Sequence, residues 1–297
     1  MSSVQAVCVG VITIDTIASV DRYPGEDERV IANEISRAGG GPAAVAAVAM
    51  SRLGIKAAIV GTIGNDSDGE EVLRIFAQEG VDTSGISIGT SATAGSVIVA
   101  SKEHSARAIS TRQPVVQSVM NDAAKKLIAN AQWLHVDHVG INRLDEAGIS
   151  RGKGPQISFD AGYGVESFDP IVVDLFVPTD RQMALRYPGV DLSIALENDS
   201  LKAGNTVVAT QGPAGCAGFS PETGLVTAPG FKVEVTSTLG AGDVFHGSLV
   251  AQLIHGFPLQ EAMRRANAVA ALSCRGLDGQ SKIPTTAELN AYLEANQ

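Results

Sequence analysis

Cysteine and tryptophan are scarce in this chain of 297 residues, which has three cysteines and one tryptophan. Cys8, Cys216 and Cys274 are odd in number and far apart, and no C-x-x-C pair occurs. This spacing argues against a disulfide framework or a cysteine metal site and predicts three reduced core residues. The single tryptophan argues against a groove that stacks carbohydrate rings on aromatic side chains.

Long apolar runs and basic residues are also lacking. No stretch reaches the roughly 18 consecutive apolar residues of a membrane helix, and the first residues lack the basic start of a signal peptide. Asp and Glu number 32 against 22 for Lys and Arg, which gives a formal net charge of −10. Because phosphate backbones require a basic face, we expect no nucleic-acid partner and no membrane partner, and we predict a cytoplasmic protein.

What the chain does contain is an alternation of strand-like and helix-like segments. The hydrophobic content of 44% fits a globular protein with a single large domain. Apolar, strand-like runs lie at 6–14, 57–64, 133–139, 156–162, 174–179 and 206–212, and helix-like segments lie at 42–54, 68–80 and 118–131. Strands that are apolar on both faces predict an α/β fold, a mostly parallel sheet with helices on both faces.

Two segments depart from this alternation. Residues 15–36 and 92–112 show period-2 patterning with turn residues and no helix between the strands, which predicts antiparallel ribbons. We expect the two ribbons to meet as one small β lid. The remaining residues, 1–14, 37–91 and 113–297, would then form one α/β domain that binds nucleotide and substrate.

The segment "STLGAGDVFHG" at 237–247 carries the clearest chemical signal. The apolar stripe that follows it predicts that "GAGD" is the first turn of an amphipathic helix. The amides of Gly240, Ala241 and Gly242 could then stabilise negative charge, and Asp243 could accept a proton from a nearby hydroxyl. A carboxylate that merely stabilises the helix N-terminus is the simpler alternative. Phe245 breaks a G-x-G-x-x-G pattern, and no G-K-[ST] occurs, so neither a dinucleotide fingerprint nor a P-loop is present.

The same segment resembles the D-T-x-G-A-G-D-x-F-x-x-G signature of the PfkB, or ribokinase-like, carbohydrate kinases. Three further segments resemble that family in the same order: "AGGGPAAVAAVAMSRLG" at 38–54, "VGTIGNDSDGEEVLRIFAQEGVDTSGI" at 60–86 and "VVATQGPAGCAGF" at 207–219. The resemblance covers essentially the whole chain. It implies a three-layer ribokinase-like fold with a β lid, and an ATP-dependent sugar kinase that uses Mg²⁺.

The resemblance also implies roles for individual residues. Asp243 would be the base, and the amides of Gly240, Ala241 and Gly242 would form the anion hole. Substrate-binding and nucleotide-binding positions match Asp15, Gly39 and Gly40, and Thr210, Gly212, Gly215 and Asn267, respectively. The alternatives remain open at this point: Asp15 as a turn residue, the glycines of the nucleotide loop as a plain hairpin turn, and Asn267 as a solvent-facing helix residue.

Four positions depart from the family pattern. Ser237 replaces the first Asp of the signature, so the sequence does not support activation by K⁺. Ala44 stands where the family usually has a sugar-binding Asn, and Thr179, Asp180 and Gln182 replace its N-x-x-E segment. The metal-binding residues are therefore unknown. "FDAGYG" at 159–164 lacks the Asn and Arg of the family's D-x-N-x-R.

The combination of "GGGPAA", "TQGPAGC" and "GAGDVFHG" resembles the sulfofructose kinase branch most closely. A sulfonate calls for arginine, because the guanidinium fork suits a tetrahedral oxyanion. The candidates for this contact are Arg29, Arg107, Arg112 and Arg143, with His138 as a further substrate-binding candidate. The remaining histidines show no metal-ligand spacing.

These observations predict a kinase that transfers the γ-phosphoryl group of Mg-ATP to a hydroxyl of a ketose-type sugar, fructose-like or sulfofructose-like. A nucleoside kinase of the same fold and a non-catalytic sugar- or nucleotide-binding regulator are the alternatives. A dinucleotide-dependent oxidoreductase is disfavoured by the missing fingerprint. Because an isolated ribbon face is marginally stable in water, we also predict a homodimer formed through the lid.

Overall fold

The computed structural model describes residues 4–101, 103, 106–112, 117–162 and 167–296. Its strands are β1 (Ala6–Val9), β2 (Thr13–Val20), β3 (Glu34–Gly40), β4 (Ala57–Gly64), β5 (Asp82–Gly89), β6 (Ala94–Ser101), β7 (Ala106–Arg112), β8 (Trp133–Val136), β9 (Gln156–Asp160), β10 (Leu175–Val177), β11 (Thr206–Thr210), β12 (Gly215–Ser220) and β13 (Gly224–Pro229). Its helices are α1 (Pro42–Arg52), α2 (Ser67–Gln78), α3 (Asp122–Asn130), α4 (Leu144–Ala147), α5 (Asp180–Arg186), α6 (Leu192–Ala203), α7 (Ala241–Ile254), α8 (Leu259–Ser273) and α9 (Thr286–Ala295).

The large sheet has the strand order β13-β12-β11-β10-β9-β8-β1-β4-β5. Its strands from β11 to β5 run parallel, whereas β12 is antiparallel to both β11 and β13. The sheet is buried on both faces: one cluster joins Ala6 and Cys8 to helices α1, α2, α7, α8 and α9, and another joins Val7 and Val9 to α3, α5 and α6. This confirms the predicted three-layer α/β fold.

The helix after "GAGD", α7, was predicted to be amphipathic, and this prediction is wrong. Every residue from Val244 to Gln252 is buried, because α7 lies between α1 and α8 as well as against the sheet. Gly247 permits this close packing, since a Cβ at that position would lie 2.5 Å from the carbonyl oxygen of Ala46. The helix that carries Asp243 is therefore an internal element of the fold.

The small sheet has the order β3-β2-β6-β7. The two outer pairings are antiparallel, as predicted for each ribbon, and the central pairing of β2 with β6 is parallel. The sheet extends past residues 15–36, because β2 begins at Thr13 and β3 ends at Gly40, so Gly39 and Gly40 lie on a lid strand. Residues 102, 104 and 105 of the second ribbon lie outside the described residues.

The structure also shows the state of the cysteines and the lengths of the helices. All three cysteines are buried and unpaired, as predicted. None of the helices in the described ranges is both long enough and apolar enough to cross a bilayer.

Candidate active site

The first turn of α7 has the geometry of an anion site. Gly240 precedes the helix with φ of 71°, in the left-handed region, and a Cβ there would lie 2.9 Å from Gly279 Cα, so glycine is required. No side chain caps this helix terminus. The amide of Ala241 donates to Thr238 O over a long 3.3 Å, whereas a Cβ on Gly242 would meet nothing within 4 Å. No described hydrogen bond uses the amides of Gly240 and Gly242, and the open space beside Gly242 leaves room for a ligand.

Asp243 is half-buried in this turn. Burial raises the pKa of its carboxyl well above the usual range, the charges of Asp160 and Asp137 raise it further, and Arg107 opposes them. A carboxylate whose proton affinity is increased in this way is a better base than a solvated one. The surroundings of Asp243 therefore differ from those of an ordinary helix N-terminal carboxylate.

Asp137, one of these neighbours, has a structural role that the sequence did not suggest. Its carboxylate accepts hydrogen bonds from the amides of Val11, Val139 and Gly140 at 2.7, 2.9 and 2.9 Å. A Cβ on Gly10 would lie 2.2 Å from this carboxylate. Asp137 thereby holds the break where the chain leaves the large sheet and enters the lid.

The three sugar-binding candidates in the first third of the chain lie together on the lid. Asp15 is buried, and its Oδ1 accepts a hydrogen bond from Ser96 N at 3.0 Å. A Cβ on Gly40 would lie 2.1 Å from Asp15 Oδ2, so the carboxylate touches the backbone there. At Gly39 a Cβ would meet only the flexible end of Gln280, at 3.2 Å. Burial raises the pKa of Asp15, which is thus no simple turn residue.

The structure separates the four arginine candidates. Arg112 donates to Thr93 O and pairs with Asp68 at 3.2 Å, and Arg143 is buried against Glu146 at 2.9 Å. Arg29 lies exposed. Only Arg107 reaches the loop before α7, where its Nη1 donates to Thr238 Oγ1 at 3.0 Å.

Arg107 and Asp15 share one face of the lid. Residues that pair across neighbouring strands point to the same side of a sheet, and so does every second residue along a strand. Arg107 pairs with Ala100 and Asp15 pairs with Ser96. Because Ser96 and Ala100 are four residues apart on β6, all of these side chains point to the same side. The same face carries Ile17 and Ile98, which are buried against Leu277. This inner face therefore carries both the Asp15 carboxylate and the Arg107 guanidinium. Arg107 was only one of several candidates in the sequence, because register and lid docking are not visible there.

His138 lies apart from these residues. It is exposed and lines a cavity of about 380 Å³ with Asn142, Arg143 and Glu146. Its ring also approaches Gly162, where a Cβ would lie 3.3 Å from its Nδ1. No described contact joins His138 to Asp15, so its assignment to the substrate stays a prediction.

A second cavity, of about 460 Å³, adjoins the first turn of α7. This volume suits a nucleoside-sized ligand. The cavity is lined by all four nucleotide candidates: Thr210, Gly212, Gly215 and Asn267. Asn267 is buried and donates to Ala228 O at 2.9 Å and Pro229 O at 3.2 Å, so it is not a solvent-facing residue. The glycines do form a hairpin turn between β11 and β12, and that turn is one wall of the cavity.

Residues 179–182, which replace the family's N-x-x-E segment, form the start of helix α5 in this chain. Thr179 and Gln182 form a capping box at the start of α5, and Gln182 also donates to Gly162 O. Asp180 is the acidic residue among those that line the nucleotide cavity. Mg²⁺ held mainly by phosphate oxygens and water requires few protein carboxylates, so Asp180 fits a role at its edge.

Asp160 and His246 are the neighbours of Asp243 that sequence reasoning did not select. Asp160 ends β9, within hydrogen-bonding reach of the Asp243 carboxyl, and its Oδ1 lies 3.7 Å from His246 Nε2. His135 on β8 joins this group, and one donor atom of each of the three lies within 4.8 Å of the others. The positions of these residues in the sequence do not have the spacing of a metal-binding motif. The fold nevertheless brings them side by side, because neighbouring parallel strands end at a common edge.

A comparison with protein-family models decides the family. The model described as pfkB family carbohydrate kinase matches residues 4–152 and 171–286. The chain belongs to this family. It is therefore an ATP-dependent sugar kinase, and the resemblance inferred from the motifs is confirmed at that level.

Individual relatives of this pfkB family member align over nearly their full lengths. It is 28% identical to ribokinase of Haemophilus influenzae, with 96% of this chain and 97% of that protein covered. It is 26% identical to mouse ketohexokinase, with 94% and 99% covered. The structure of Arabidopsis thaliana ribokinase complexed with ribose and ATP superimposes with a TM-score of 0.81 at 19% identity, covering 99% of each chain. The last similarity confirms the ribokinase-like fold. These similarities do not show the sulfofructose kinase branch.

Proposed function

We propose that this enzyme phosphorylates a hydroxyl of a ketose-type sugar, with Asp243 as the base. The observation that carries the proposal is the first turn of α7, where a carboxylate with a raised pKa lies beside free amides and open space. The neighbouring cavity would hold ATP against Thr210, Gly212, Gly215 and Asn267. The sugar would lie under the lid, against Asp15, Gly39 and Gly40.

The chemical step follows from this arrangement. The acceptor hydroxyl transfers its proton to Asp243 as its oxygen forms a bond to the γ-phosphorus, and the bond to the bridging oxygen of ADP breaks. The amides of Gly240, Ala241 and Gly242 would stabilise the charge on the transferring group. Mg²⁺, when bound, would neutralise charge on the phosphates, with Asp180 at the rim of its site.

Arg107 supports an acceptor that carries an anionic substituent, such as sulfofructose. Its guanidinium lies on the inner face of the lid and close enough to Asp243 to lower the pKa of that carboxyl, and none of the ion pairs found among the described residues includes Arg107. A fructose-like acceptor agrees with the similarity to ketohexokinase, and a ribose-like acceptor with that to ribokinase. Charge at the substituent is therefore the property to be tested.

The decisive experiment measures ADP release over neutral ketoses, ribose, anionic sugars including sulfofructose, and nucleosides. We expect ketose-dependent release that Asp243→Asn lowers by about 10²- to 10⁴-fold, the usual contribution of a general base. ATP binding, measured by calorimetry, should change little. Near-normal turnover of Asp243→Asn would contradict its role as base, and release with nucleosides alone would favour the nucleoside kinase. No acceptor-dependent release would favour the non-catalytic regulator.

We also propose that two copies of the chain pair through the outer face of the lid. Ile35 and Val97 point outward from this sheet and are 68% and 58% exposed. A second lid would cover them and protect the strand edges from other partners. The cytoplasmic location stays a prediction, and the sequence does not support activation by K⁺.

A further inference from the structure

We propose that His135, Asp160 and His246 form a binding site for a Zn²⁺-type transition-metal ion beneath Asp243. The three side chains come from β8, from the end of β9 and from the first turns of α7. None of the three side chains lines the cavity proposed to hold ATP.

The geometry of the cluster supports binding of one ion. The three residues are 1%, 7% and 6% exposed, respectively, and one donor atom of each lies within 4.8 Å of the others. His246 Nε2 and Asp160 Oδ1 are 3.7 Å apart. Zn²⁺ with donors at about 2.0–2.1 Å requires tetrahedral ligands about 3.4 Å apart, so the pair needs only a small closure.

His135 is held as a metal-ligating histidine usually is. Its Nδ1 lies 2.7 Å from Ser158 Oγ, which leaves Nε2 for another partner. In metal sites, such a hydrogen bond fixes the ring's tautomer and orientation. His135 Nε2 is buried and without a hydrogen-bond partner among the described residues.

His246 turns its other nitrogen, Nε2, toward Asp160 Oδ1 at 3.7 Å, which is too long for a hydrogen bond and leaves space between the two atoms. Its Nδ1, which is buried without a partner in the described part of the chain, is on the opposite side of the ring from Nε2 and would not bind the same ion. Buried polar groups are nearly always satisfied, so the unsatisfied Nε2 of His135 is the atom that points to an unseen occupant of the cluster. Coordination by a metal ion would satisfy His135 Nε2 and bring His246 and Asp160 together.

The chemistry of the donors selects the ion. Two imidazole nitrogens and one carboxylate oxygen suit Zn²⁺ and Co²⁺, whereas Mg²⁺ prefers oxygen ligands. Asp160 also lies within hydrogen-bonding reach of Asp243. An ion that engages Asp160 would compete with this contact, so we expect occupancy to slow phosphoryl transfer.

The test uses the full chain, stripped with EDTA and free of nucleotide, titrated with Zn²⁺ in a calorimeter and with Co²⁺ in a spectrophotometer. We expect one ion per chain and the visible absorption bands of tetrahedral Co²⁺. His135→Gln and His246→Gln should abolish both signals. Ser158→Ala, which keeps all three ligands, should weaken binding about 10- to 100-fold. His255→Gln is the matched control, since His255 Nε2 contacts Leu53 O at the far end of α7.

Each of four results would overturn the proposal or one of its parts. Absence of binding by the wild-type chain would mean that the cluster holds only water. Binding unchanged by His135→Gln and His246→Gln would place the ion elsewhere. Binding unaffected by Ser158→Ala would contradict the orienting role of Ser158, and thermal unfolding of each variant checks that it folds. Inhibition by Zn²⁺ that persists in His135→Gln would separate the inhibition from this site.

Discussion

Gly40 shows how a single missing side chain shapes the proposed sugar site. The Asp15 carboxylate occupies the space where a Cβ on residue 40 would lie, at 2.1 Å. The backbone of β3 and the carboxylate of β2 can therefore contact the same ligand. The neighbouring Gly39 is less constrained, because its nearest contact is the flexible amide of Gln280.

We predict that Gly40→Ala raises KM for the sugar about tenfold or more and changes KM for ATP little, because Asp15 must move. Gly39→Ala is the comparison variant and should have a smaller effect. Steady-state kinetics with each substrate varied measures both, and thermal unfolding checks the fold. An equal effect of the two substitutions would argue against contact between Asp15 and the backbone as the cause.

Replacement of Arg107 tests whether its guanidinium binds an anionic substituent of the sugar. Charge-assisted hydrogen bonds contribute about 1.5–3 kcal/mol, so Arg107→Gln should raise KM for an anionic sugar at least about tenfold. The effect on a neutral ketose should be smaller. Arg74→Gln, on the exposed surface of α2, is the control. Equal losses for neutral and anionic acceptors would contradict recognition of the anionic substituent by Arg107.

Among the elements, α2 illustrates how a helix terminus joins the two sheets. Its N-cap Asp66 accepts hydrogen bonds from Gly69 N at 2.9 Å and from Thr93 N and Oγ1 at 2.8 and 2.6 Å. Thr93 immediately precedes the lid strand β6. Burial opposes ionisation of Asp66, but the hydrogen bonds from Thr93 and Gly69 outweigh it and lower its pKa.

We predict that Asp66→Asn lowers the free energy of unfolding by about 1–2 kcal/mol at neutral pH, because an uncharged amide has only one oxygen and cannot accept hydrogen bonds from both Gly69 N and Thr93 N. Because the folded-state pKa lies below the unfolded value of about 3.9, the stabilisation is present above that value. It is lost as the pH falls through the folded-state pKa. Urea unfolding of wild type and variant at a series of pH values measures the difference. Asp122→Asn, at the exposed start of α3, is the control. A difference that grows as the pH falls would contradict this assignment.

For the whole molecule, the outer face of the lid is the surface through which we propose that two copies associate. Its exposed residues Ile35, on β3, and Val97, on β6, lie on strands of one sheet that are separated only by β2. The exposed Leu225 lies on the distant edge strand β13. A charged substitution at each location can therefore distinguish loss of the lid interface from a general effect of adding charge to the surface.

We predict a dimeric mass by light scattering at micromolar concentration. Val97→Glu should shift it to the monomer, because a carboxylate would be buried without a partner. Leu225→Glu should leave it dimeric. A monomeric wild type, or a dimer that survives Val97→Glu, would contradict association through this face.

The sequence by itself determined the α/β order, the family and the placement of Asp243 in the first turn of a helix. These features depend on local physics: strand and helix periodicity, glycine at a left-handed position, and free amides at a helix terminus. The positions of Asp15, Gly40 and Asn267 followed from motif resemblance, and their burial and hydrogen bonds agree with a site.

Only the tertiary structure decided what surrounds Asp243. The burial of α7 on all sides, the reach of Arg107 to Thr238 and the grouping of Asp160 with two histidines each require elements that are far apart in the chain. Parallel strands end at a common edge, and the lid docks with a register that no local pattern specifies. The base could therefore be predicted from its own turn, whereas the charges and imidazoles that modify it could not.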